Sequence, residues 1–300
     1  MKIAKVVATC FLPRKVIEKT QLTGSPLGYF AHSQKFENTQ DIINLINFII
    51  SKEEEYDPGI DRDLIIVNSN VDNAKGNNFL NTLNNYKISR GKIIIVNRKN
   101  FGRSYGAYNE AFKKYKNDYD YFLFTEDDVI ILGNNNLKIG VEKLQNYNDF
   151  GFLSYIHSTK IGKWHWSKLN LNKKNAFSCH GGTGLVSTKM LNMIYAKYGA
   201  LPHNKGSNYD DDITFGEVAF PNSVIKLGYK IHDLPKDVTL AFPAYDLMRK
   251  IKYKKFPSRL EKIKHLSKVF LYSIVSKNKY SLKFYLLIIS NFKRIIRREV

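Results

Sequence analysis

Short apolar runs rich in β-branched residues recur along this chain, with stretches of helical spacing between them. The runs Ile3–Thr9, Leu64–Asn68, Lys92–Asn97 and Tyr121–Thr125 each have the length and composition of a buried strand. Between the first two, Thr39–Ser51 places apolar residues three and four positions apart, as an amphipathic helix does. Strands that alternate with helices build a mainly parallel sheet covered by helices. The sequence therefore predicts an α/β fold.

The same criteria predict the remaining elements. We predict helices at Asn77–Tyr86, Tyr105–Tyr115, Leu137–Gln145, Thr188–Tyr198 and Ile213–Leu227. We predict the later strands at Phe150–Tyr155, Ala176–Cys179 and Tyr229–Ile231. Acidic residues nearly vanish after Asp246, which indicates a boundary between the α/β domain and a C-terminal tail.

Length and cysteine content exclude several classes of protein. With 300 residues, of which 43% are hydrophobic, the chain can bury a substantial core. Its two cysteines, Cys10 and Cys179, cannot form a disulfide framework or a four-cysteine zinc site. No apolar run approaches the roughly 20 residues that a bilayer-spanning helix needs. These observations favour a reducing compartment, and we expect the protein in the cytoplasm.

Positive charge is concentrated at the C-terminus. Residues 249–300 contain sixteen of the 47 basic residues and two of the 27 acidic residues, so they hold +14 of the net charge of +20. Their apolar residues fall at helical spacing, in one stripe from Ile263 to Ile274 and a second from Leu282 to Ile296. Two interpretations remain. Such helices bind anionic membrane surfaces, or both stripes pack on the preceding domain and leave the charge solvated.

Three consecutive acidic residues follow one predicted strand. Within the apolar segment Tyr121–Leu132, residues Glu126, Asp127 and Asp128 lie at the carboxyl end of the strand, the edge at which open α/β sheets bind ligands. In extended backbone Glu126 and Asp128 project to the same side. Both can therefore bind one Mg²⁺ or Mn²⁺ ion, which takes one or two carboxylates together with water and phosphate oxygens. The alternative is an acidic turn that caps the next element.

A basic turn with glycines joins the third strand to the following helix, within Asn97–Asn109. Gly102 and Gly106 permit close approach of another backbone or a ligand. The turn also holds three cations, Arg98, Lys99 and Arg103. A helix N-terminus already favours anions, so this turn suits a pyrophosphate, although an ordinary strand-to-helix connection would look similar. Asn68–Asp72 ends the second strand with short polar side chains, which bind a base or ribose or form turn hydrogen bonds.

Two further segments carry candidate functional residues. His180–Gly184 follows a predicted strand, and Tyr209–Glu217 opens a predicted helix with three adjacent acids. Acids are common at helix starts because the helix dipole stabilises them. A carboxylate at that position can instead act as a general base that takes a proton from an attacking hydroxyl.

In their order along the chain, these motifs resemble the glycosyltransferases of the GT-A fold, closest to the large family 2 that uses nucleotide-diphosphate sugars. The resemblance covers residues 3–240. It implies a Rossmann-like fold with a mixed, mainly parallel sheet flanked by helices and followed by a helical extension. It also implies a catalytic domain at 1–245, with a nucleotide-sugar-binding half at 1–132 and an acceptor-side half at 133–245, before a basic amphipathic tail at 246–300.

The resemblance assigns roles to individual residues. The donor-binding positions correspond to Thr9, Asp72, Asn100, Gly102, Arg103, Asn109 and Asp127. The metal ligands correspond to Glu126 and Asp128, with Mn²⁺ or Mg²⁺ as the cofactor. The catalytic base corresponds to Asp211 or Asp212, of which Asp211 is favoured. Further candidates at the acceptor or an additional site are His180, Gly181, Gly182, Trp166, Asp210 and His232.

These roles imply an inverting transfer of a sugar from a UDP- or GDP-sugar to a hydroxyl of a glycan or lipid-linked acceptor, in surface polysaccharide or glycoconjugate synthesis. We expect peripheral attachment to the inner face of the cell membrane if the basic tail binds lipid. Two alternatives stay open. A basic nucleic-acid-binding protein would explain the charge, but the sequence contains no recognisable nucleic-acid module. A sugar nucleotidyltransferase would use a similar sheet, but Phe11–Lys15 is not the glycine-rich phosphate loop expected there.

Overall fold

The computed structural model describes residues 1–12, 38–127, 129–155, 159–160, 169, 177–179, 182–203, 213–233 and 239–241. Among these residues, 1–12 and 38–241 belong to one compact unit. Several predicted site residues lie outside the described residues: Asp128, Trp166, His180, Gly181, Asp210, Asp211 and Asp212. The basic tail also lies outside them, so the predictions made for these positions stay predictions.

Twelve strands and seven helical segments are described. The strands are β1 Ile3–Thr9, β2 Arg62–Asn68, β3 Lys87–Ile88, β4 Gly91–Asn97, β5 Tyr121–Glu126, β6 Ile130–Leu132, β7 Phe150–Ser154, β8 Thr159–Lys160, β9 Phe177–Ser178, β10 Gly184–Ser187, β11 Lys230–Asp233 and β12 Thr239–Ala241. The helices are α1 Thr39–Glu55, α2 Ala74–Leu83, α3 Arg103–Tyr115, α4 Asn136–Gln145, α5 Thr188–Tyr198, a π-helix at Ile213–Val218, and α6 Ala219–Ile225.

Eight of the strands form one sheet in the order β11-β7-β10-β5-β1-β2-β4-β3. The central strand β1 pairs in parallel with both β2 and β5, and β2 pairs in parallel with β4. On the other side β10 is antiparallel to both β5 and β7, while β11 is parallel to β7. The predicted fold class is therefore confirmed: the protein is a mixed α/β structure with a mainly parallel sheet. Among the described residues, no helix combines the length and apolar character needed to cross a bilayer.

The core lies on both faces of this sheet. One face packs aromatic and aliphatic side chains of α3, α5 and α6 against the strands, including Tyr108, Phe112, Leu191 and Phe220. The other face packs Leu137, Val141 and Leu144 of α4 against Leu123, Leu153 and Leu185. All of these residues are at most 9% exposed. Because alternate strand residues point to opposite faces, consecutive residues at the end of a strand lie on the sides of the two different cores.

Several predicted elements differ from the structure. The helix at Thr188–Tyr198 is confirmed at both ends, but the single helix predicted over Ile213–Leu227 is wrong, because a π-helix and then α6 occupy this range. Pro221 lacks the N–H that would continue the helical bonding pattern, and it lies in the first turn of α6, where proline is tolerated. The antiparallel strand β10, which begins at the last residue of the His180–Gly184 segment, was not predicted.

A buried ionic cluster joins β1, β2 and α1 below the central sheet. Glu53 accepts from Lys5 and Arg62, and the Arg62 Nη2–Glu53 Oε2 distance is 2.8 Å. Arg62 also donates to the carbonyl oxygens of Ser89 and Glu53 at 2.7 and 2.9 Å. Burial alone would raise the pKa of Glu53, but the two cations outweigh burial and lower that pKa below its ordinary value. The carboxylate therefore holds two buried positive charges in place.

Glu53→Gln should lower the free energy of unfolding by about 3–5 kcal/mol, because it leaves Lys5 and Arg62 buried without a counter-charge. Urea denaturation at pH 7 measures this, with the exposed neighbour change Glu54→Gln as the control, expected within about 0.5 kcal/mol of wild type. Since the folded-state pKa of Glu53 is depressed, its contribution is present above about pH 4.3 and is lost as the pH falls further. An E53Q penalty that does not shrink towards pH 3 would contradict this account.

Candidate active site at the carboxyl edge of the sheet

Four parallel strands end at one edge of the sheet with polar residues. They are Thr9 of β1, Asn68 of β2, Asn97 of β4 and Glu126 of β5. The chain connects β1 to β2 and β4 on one side, and β5 lies on the opposite side of β1. Such a reversal of strand order opens a crevice outside the carboxyl ends, which is where α/β sheets bind ligands. The geometry therefore makes this edge the candidate active site.

Thr9 and Asp127 form a buried pair that joins the ends of β1 and β5. The Thr9 hydroxyl donates to Asp127 Oδ2 at 2.7 Å, and the Asp127 N–H donates to the carbonyl oxygen of Ala8 at 3.1 Å. The two residues are 3% and 1% exposed. Both were predicted to bind the donor nucleotide. The structure brings them together. The Thr9 hydroxyl and one carboxylate oxygen of Asp127 form the hydrogen bond that joins the ends of the two central strands.

Glu126 points to the other face of the sheet, towards the first turn of α3. Ser104, the second residue of that helix, donates its hydroxyl to Glu126 Oε1 at 2.7 Å. Glu126 is partly exposed, so it is accessible to a ligand. A carboxylate at this position is stabilised by the positive end of the α3 dipole. Glu126 and Asp127 are thus consecutive in sequence but serve opposite faces of the edge.

The turn before α3 is held by Arg98. Its guanidinium donates to the Ser69 hydroxyl at 2.9 Å and to the carbonyl oxygens of Phe101 and Arg103. Burial lowers the pKa of this guanidinium. The prediction that Arg98 offers a cation to a phosphate is therefore corrected: it stabilises the turn, because two carbonyl oxygens of the turn and the hydroxyl of Ser69, the residue after β2, accept from it.

This turn presents the N-terminus of α3 to the crevice. Gly102 caps the helix with a φ of 69°, in the left-handed region that favours glycine, and no side chain among the described residues caps the helix. A Cβ at Gly106 would lie 1.9 Å from the carbonyl oxygen of Phe101, so only glycine fits there. Arg103 is exposed on the first helical residue. A helix N-terminus with a cation on its first residue suits an anionic ligand.

Asparagine side chains link the ends of β2 and β4. Asn68 Nδ2 donates to Asn77 Oδ1 at 2.8 Å and to Asn97 Oδ1 at 3.1 Å. Asn70 Oδ1 accepts from the N–H of Asp72 at 3.2 Å, and the Asp72 side chain is exposed beside this network. The predicted donor residue Asp72 therefore lies at the candidate edge, on a loop held by hydrogen bonds within the Asn68–Asp72 segment.

The remaining described candidates divide into two groups. Asn100 lies at the edge, with its amide nitrogen 4.0 Å from Cys10 Sγ, directly after β1. Asn109 is used elsewhere, because its Oδ1 accepts from the N–H of Leu201 at 2.9 Å. His232 lies on the outermost strand β11, stacked on Phe150 with ring centroids 3.4 Å apart. The structure therefore does not bring Asn109 or His232 together with the edge residues.

The sequence analysis did not single out Tyr105, which lies next to Ser104 in α3. Its ring is packed between two glycines: a Cβ at Gly182 would lie 2.7 Å from Tyr105 Cε1, and one at Gly216 would lie 2.3 Å from Tyr105 Cδ2. Gly216 belongs to the π-helix, a geometry that is frequent at functional sites. The predicted site residue Gly182 is therefore at the site, through contact with Tyr105. An aromatic residue in a helix looks like core, so the only sequence signal was its place in the glycine-containing turn.

The edge provides a small set of candidate metal ligands. Within the described part of the chain, no group of three or more His, Cys, Asp or Glu side chains could hold a metal ion. Mg²⁺ and Mn²⁺ do not require one, because one or two carboxylates with water and substrate phosphates are sufficient. The partly exposed Glu126 at the positive end of α3 fits such a ligand, and Asp128 follows two residues later in the sequence.

The comparisons with known proteins give little further information. No protein-family model and no curated protein sequence matches this chain. Among solved structures, the chain is similar to the 4-diphosphocytidyl-2C-methyl-D-erythritolsynthase from Anaerococcus prevotii DSM 20548, with a TM-score of 0.38 and 12% sequence identity over 89% of this chain and 95% of that chain. A likeness at this level identifies neither a family nor an activity.

Thr9→Val should lower the free energy of unfolding by about 1.5–3 kcal/mol, because buried Asp127 loses one hydrogen bond to its charged oxygen. Thr9→Ser keeps the hydroxyl and is the matched control, expected to remain close to wild type. Chemical denaturation of the three proteins measures the difference. Equal losses in both variants would show that the methyl group of Thr9, and not its hydroxyl, carries the contribution.

Proposed function

We propose that this protein is a metal-dependent glycosyltransferase that moves a sugar from a UDP- or GDP-sugar to a hydroxyl of a glycan or lipid-linked acceptor, with inversion. The observation that carries the proposal is the meeting of a partly exposed acidic residue, Glu126, with the N-terminus of α3 at the point where the strand order reverses. A crevice with both features suits a cation bound to a diphosphate. The resemblance of the motif order to GT-A enzymes supports the same conclusion.

In this proposal, separate groups of residues would supply distinct parts of the activity. Polar groups at the ends of β1 and β2, with Asp72 exposed beside them, would bind the nucleoside. The first-turn N–H groups of α3 and the Arg103 side chain would bind the diphosphate, since both favour negative charge. Glu126, with Asp128, would hold Mg²⁺ or Mn²⁺. When bound, that ion supplies electrostatic stabilisation of the leaving nucleotide.

The proposed base is Asp211 or Asp212. In sequence, Asp212 directly precedes the π-helix, whose Gly216 contacts Tyr105 beside the Ser104–Glu126 pair. This connection supports a base that acts close to the proposed metal ligands. The carboxylate would take the proton from the acceptor hydroxyl as that oxygen attacks the anomeric carbon. Attack on the face opposite to the leaving nucleotide inverts the configuration.

Nucleoside diphosphate with Mn²⁺ should stabilise the wild-type protein against heat. At about 100 times the Kd, the added stability is about 2.7 kcal/mol, which raises the Tm by roughly 5–10 °C for a chain of this size. Glu126→Gln should lose most of this shift, because it removes a charged metal ligand. Glu142→Gln, at an exposed position of α4, is the matched control and should retain the shift.

The same experiment separates the alternatives. A shift with UDP or GDP that needs no cation, or that survives in E126Q, would contradict the proposed metal site. No nucleotide effect, together with tight, salt-sensitive binding of DNA or RNA, would favour the nucleic-acid-binding alternative. A sugar nucleotidyltransferase would instead be stabilised by nucleoside triphosphate and would release pyrophosphate from it.

We also propose that the basic tail binds an anionic membrane surface. The support is the charge of +14 in residues 249–300 with two apolar stripes at helical spacing. Truncation after Asp246 should abolish sedimentation with phosphatidylserine-containing liposomes and leave nucleotide binding unchanged. Equal liposome binding by the truncated and full-length proteins would contradict this proposal.

A further inference from the structure

The Tyr105 hydroxyl is a buried polar group that has no hydrogen-bond partner among the residues that the structure describes. Tyr105 is 6% exposed, and its oxygen belongs to a set of three such side-chain atoms in the described part of the chain, with Arg62 Nε and Thr183 Oγ1. Of the three residues, Tyr105 is the one in the first turn of α3, at the candidate active site. Buried polar groups are nearly always paired, so this exception needs an explanation.

Among the described residues, the surroundings of Tyr105 hold the ring but provide no hydrogen-bond donor or acceptor for its oxygen. Gly182 and Gly216 contact the carbons of the Tyr105 ring. The ring of Tyr108 packs against the same ring, with the two centroids 5.5 Å apart and an interplanar angle of 77°. Two glycines at such close range fix the direction of the phenol. The hydroxyl is therefore positioned by packing, not by hydrogen bonding, as expected of a group kept for a ligand.

Two carboxylates close to Tyr105 restrict which ligand groups its hydroxyl can bind. Glu126 accepts from Ser104, the residue before Tyr105, and Glu217 follows Gly216, which contacts the Tyr105 ring. Burial, and then the charges of Glu217 and Glu126, raise the pKa of Tyr105 well above its ordinary value. The phenol therefore keeps its proton, and both carboxylates act on it through the low-dielectric interior. The proposed metal ion would offset the charge of Glu126, but an anionic ligand group at this position would still be repelled by Glu217. A neutral hydroxyl can accept from the phenol and donate to a carboxylate, so it satisfies both.

We propose that Tyr105 binds a hydroxyl of the glycosyl group of the donor and that the site selects a neutral sugar over a sugar acid. This inference rests on the proposed function. Tyr105 follows Ser104, which holds the proposed metal ligand Glu126, so the phenol belongs to the same helix turn as the proposed metal and diphosphate site.

Tyr105→Phe tests the proposal because it removes only the hydroxyl and keeps the packed ring. Titration calorimetry with Mn²⁺ should show at least tenfold weaker binding of the preferred sugar nucleotide, chosen among UDP-glucose, UDP-N-acetylglucosamine and GDP-mannose, and binding of UDP or GDP within twofold of wild type. The Tm of Y105F should equal or exceed that of wild type, since an unpaired buried polar group is removed. UDP-glucuronic acid should bind wild type no better than UDP.

Tyr155→Phe is the matched control. Tyr155 is 4% exposed, but its hydroxyl donates to the carbonyl oxygen of Asn136 at 3.0 Å. Removal of a paired hydroxyl should lower the Tm and leave sugar-nucleotide binding unchanged. The two substitutions thus have opposite expected effects on stability and on binding, and a purely structural role for Tyr105 would give Y105F the behaviour of Y155F.

Each remaining outcome bears on a different claim. Unchanged sugar-nucleotide binding by Y105F, or equal weakening of UDP and of the sugar nucleotide, overturns the role of Tyr105 and leaves the proposed function intact. Failure of wild type to bind any of these nucleotides overturns the proposed function itself. Singly deoxygenated forms of the bound sugar nucleotide provide a second measurement on the unaltered protein. One of them should lose at least tenfold in affinity, and retention of affinity by all of them would overturn the proposal.

Discussion

The pairing of β1 with β5 is the constraint on which the site depends. The strand β1 has β5 on one side and β2, followed by β4, on the other, so the strand order reverses at β1. The hydrogen bonds from Thr9 to Asp127 and from Asp127 to Ala8 fasten the two strands where they end. Because the Thr9–Asp127 hydrogen bond is buried and charge-assisted, it fixes the position of the acidic edge. The residues proposed to bind ligands lie around this fixed junction.

The alternation of strand side chains then divides the acidic edge into two functions. Asp127 points to one face and is used by Thr9, whereas Glu126 points to the other and reaches the N-terminus of α3. One carboxylate therefore stabilises the sheet, and its neighbour is partly exposed to a ligand. The same helix turn carries Tyr105, whose hydroxyl is buried without a partner among the described residues. The stable junction and this unsatisfied group are connected through Glu126 and Ser104, and local exceptions of this kind are expected at functional sites.

The sequence was sufficient to predict those parts of the fold that depend on local pattern. Apolar runs predicted the strands of the central sheet, and the helix Thr188–Tyr198 was predicted at both ends because its apolar spacing and flanking residues are regular. The strand Gly184–Ser187 was missed, since four residues beginning with glycine have no strand signal of their own. It is a strand because β5 and β7 lie on its two sides.

The sequence indicated where the candidate site lies, but not which partners its side chains contact. The acidic run after an apolar strand identified the edge, but the bond between Thr9 and Asp127 joins residues 118 positions apart and follows from strand order. Arg98 looked like a phosphate-binding cation because the sequence does not show the carbonyl oxygens that fold back onto it. Asn109 looked like a donor ligand although Leu201 uses its oxygen. In each case a partner distant in sequence decided what the side chain does.

The proposed activity is the transfer of sugar from a nucleotide-diphosphate donor in the crevice at the β1–β5 junction. Incubation of the protein with Mn²⁺ and a panel of UDP- and GDP-sugars, followed by ³¹P NMR, measures this activity. One donor should release nucleoside diphosphate, slowly when water is the acceptor and faster with a glycan or lipid-linked acceptor, and E126Q should release none. Formation of pyrophosphate from nucleoside triphosphate and sugar phosphate, or no turnover of any donor, would contradict the proposed activity.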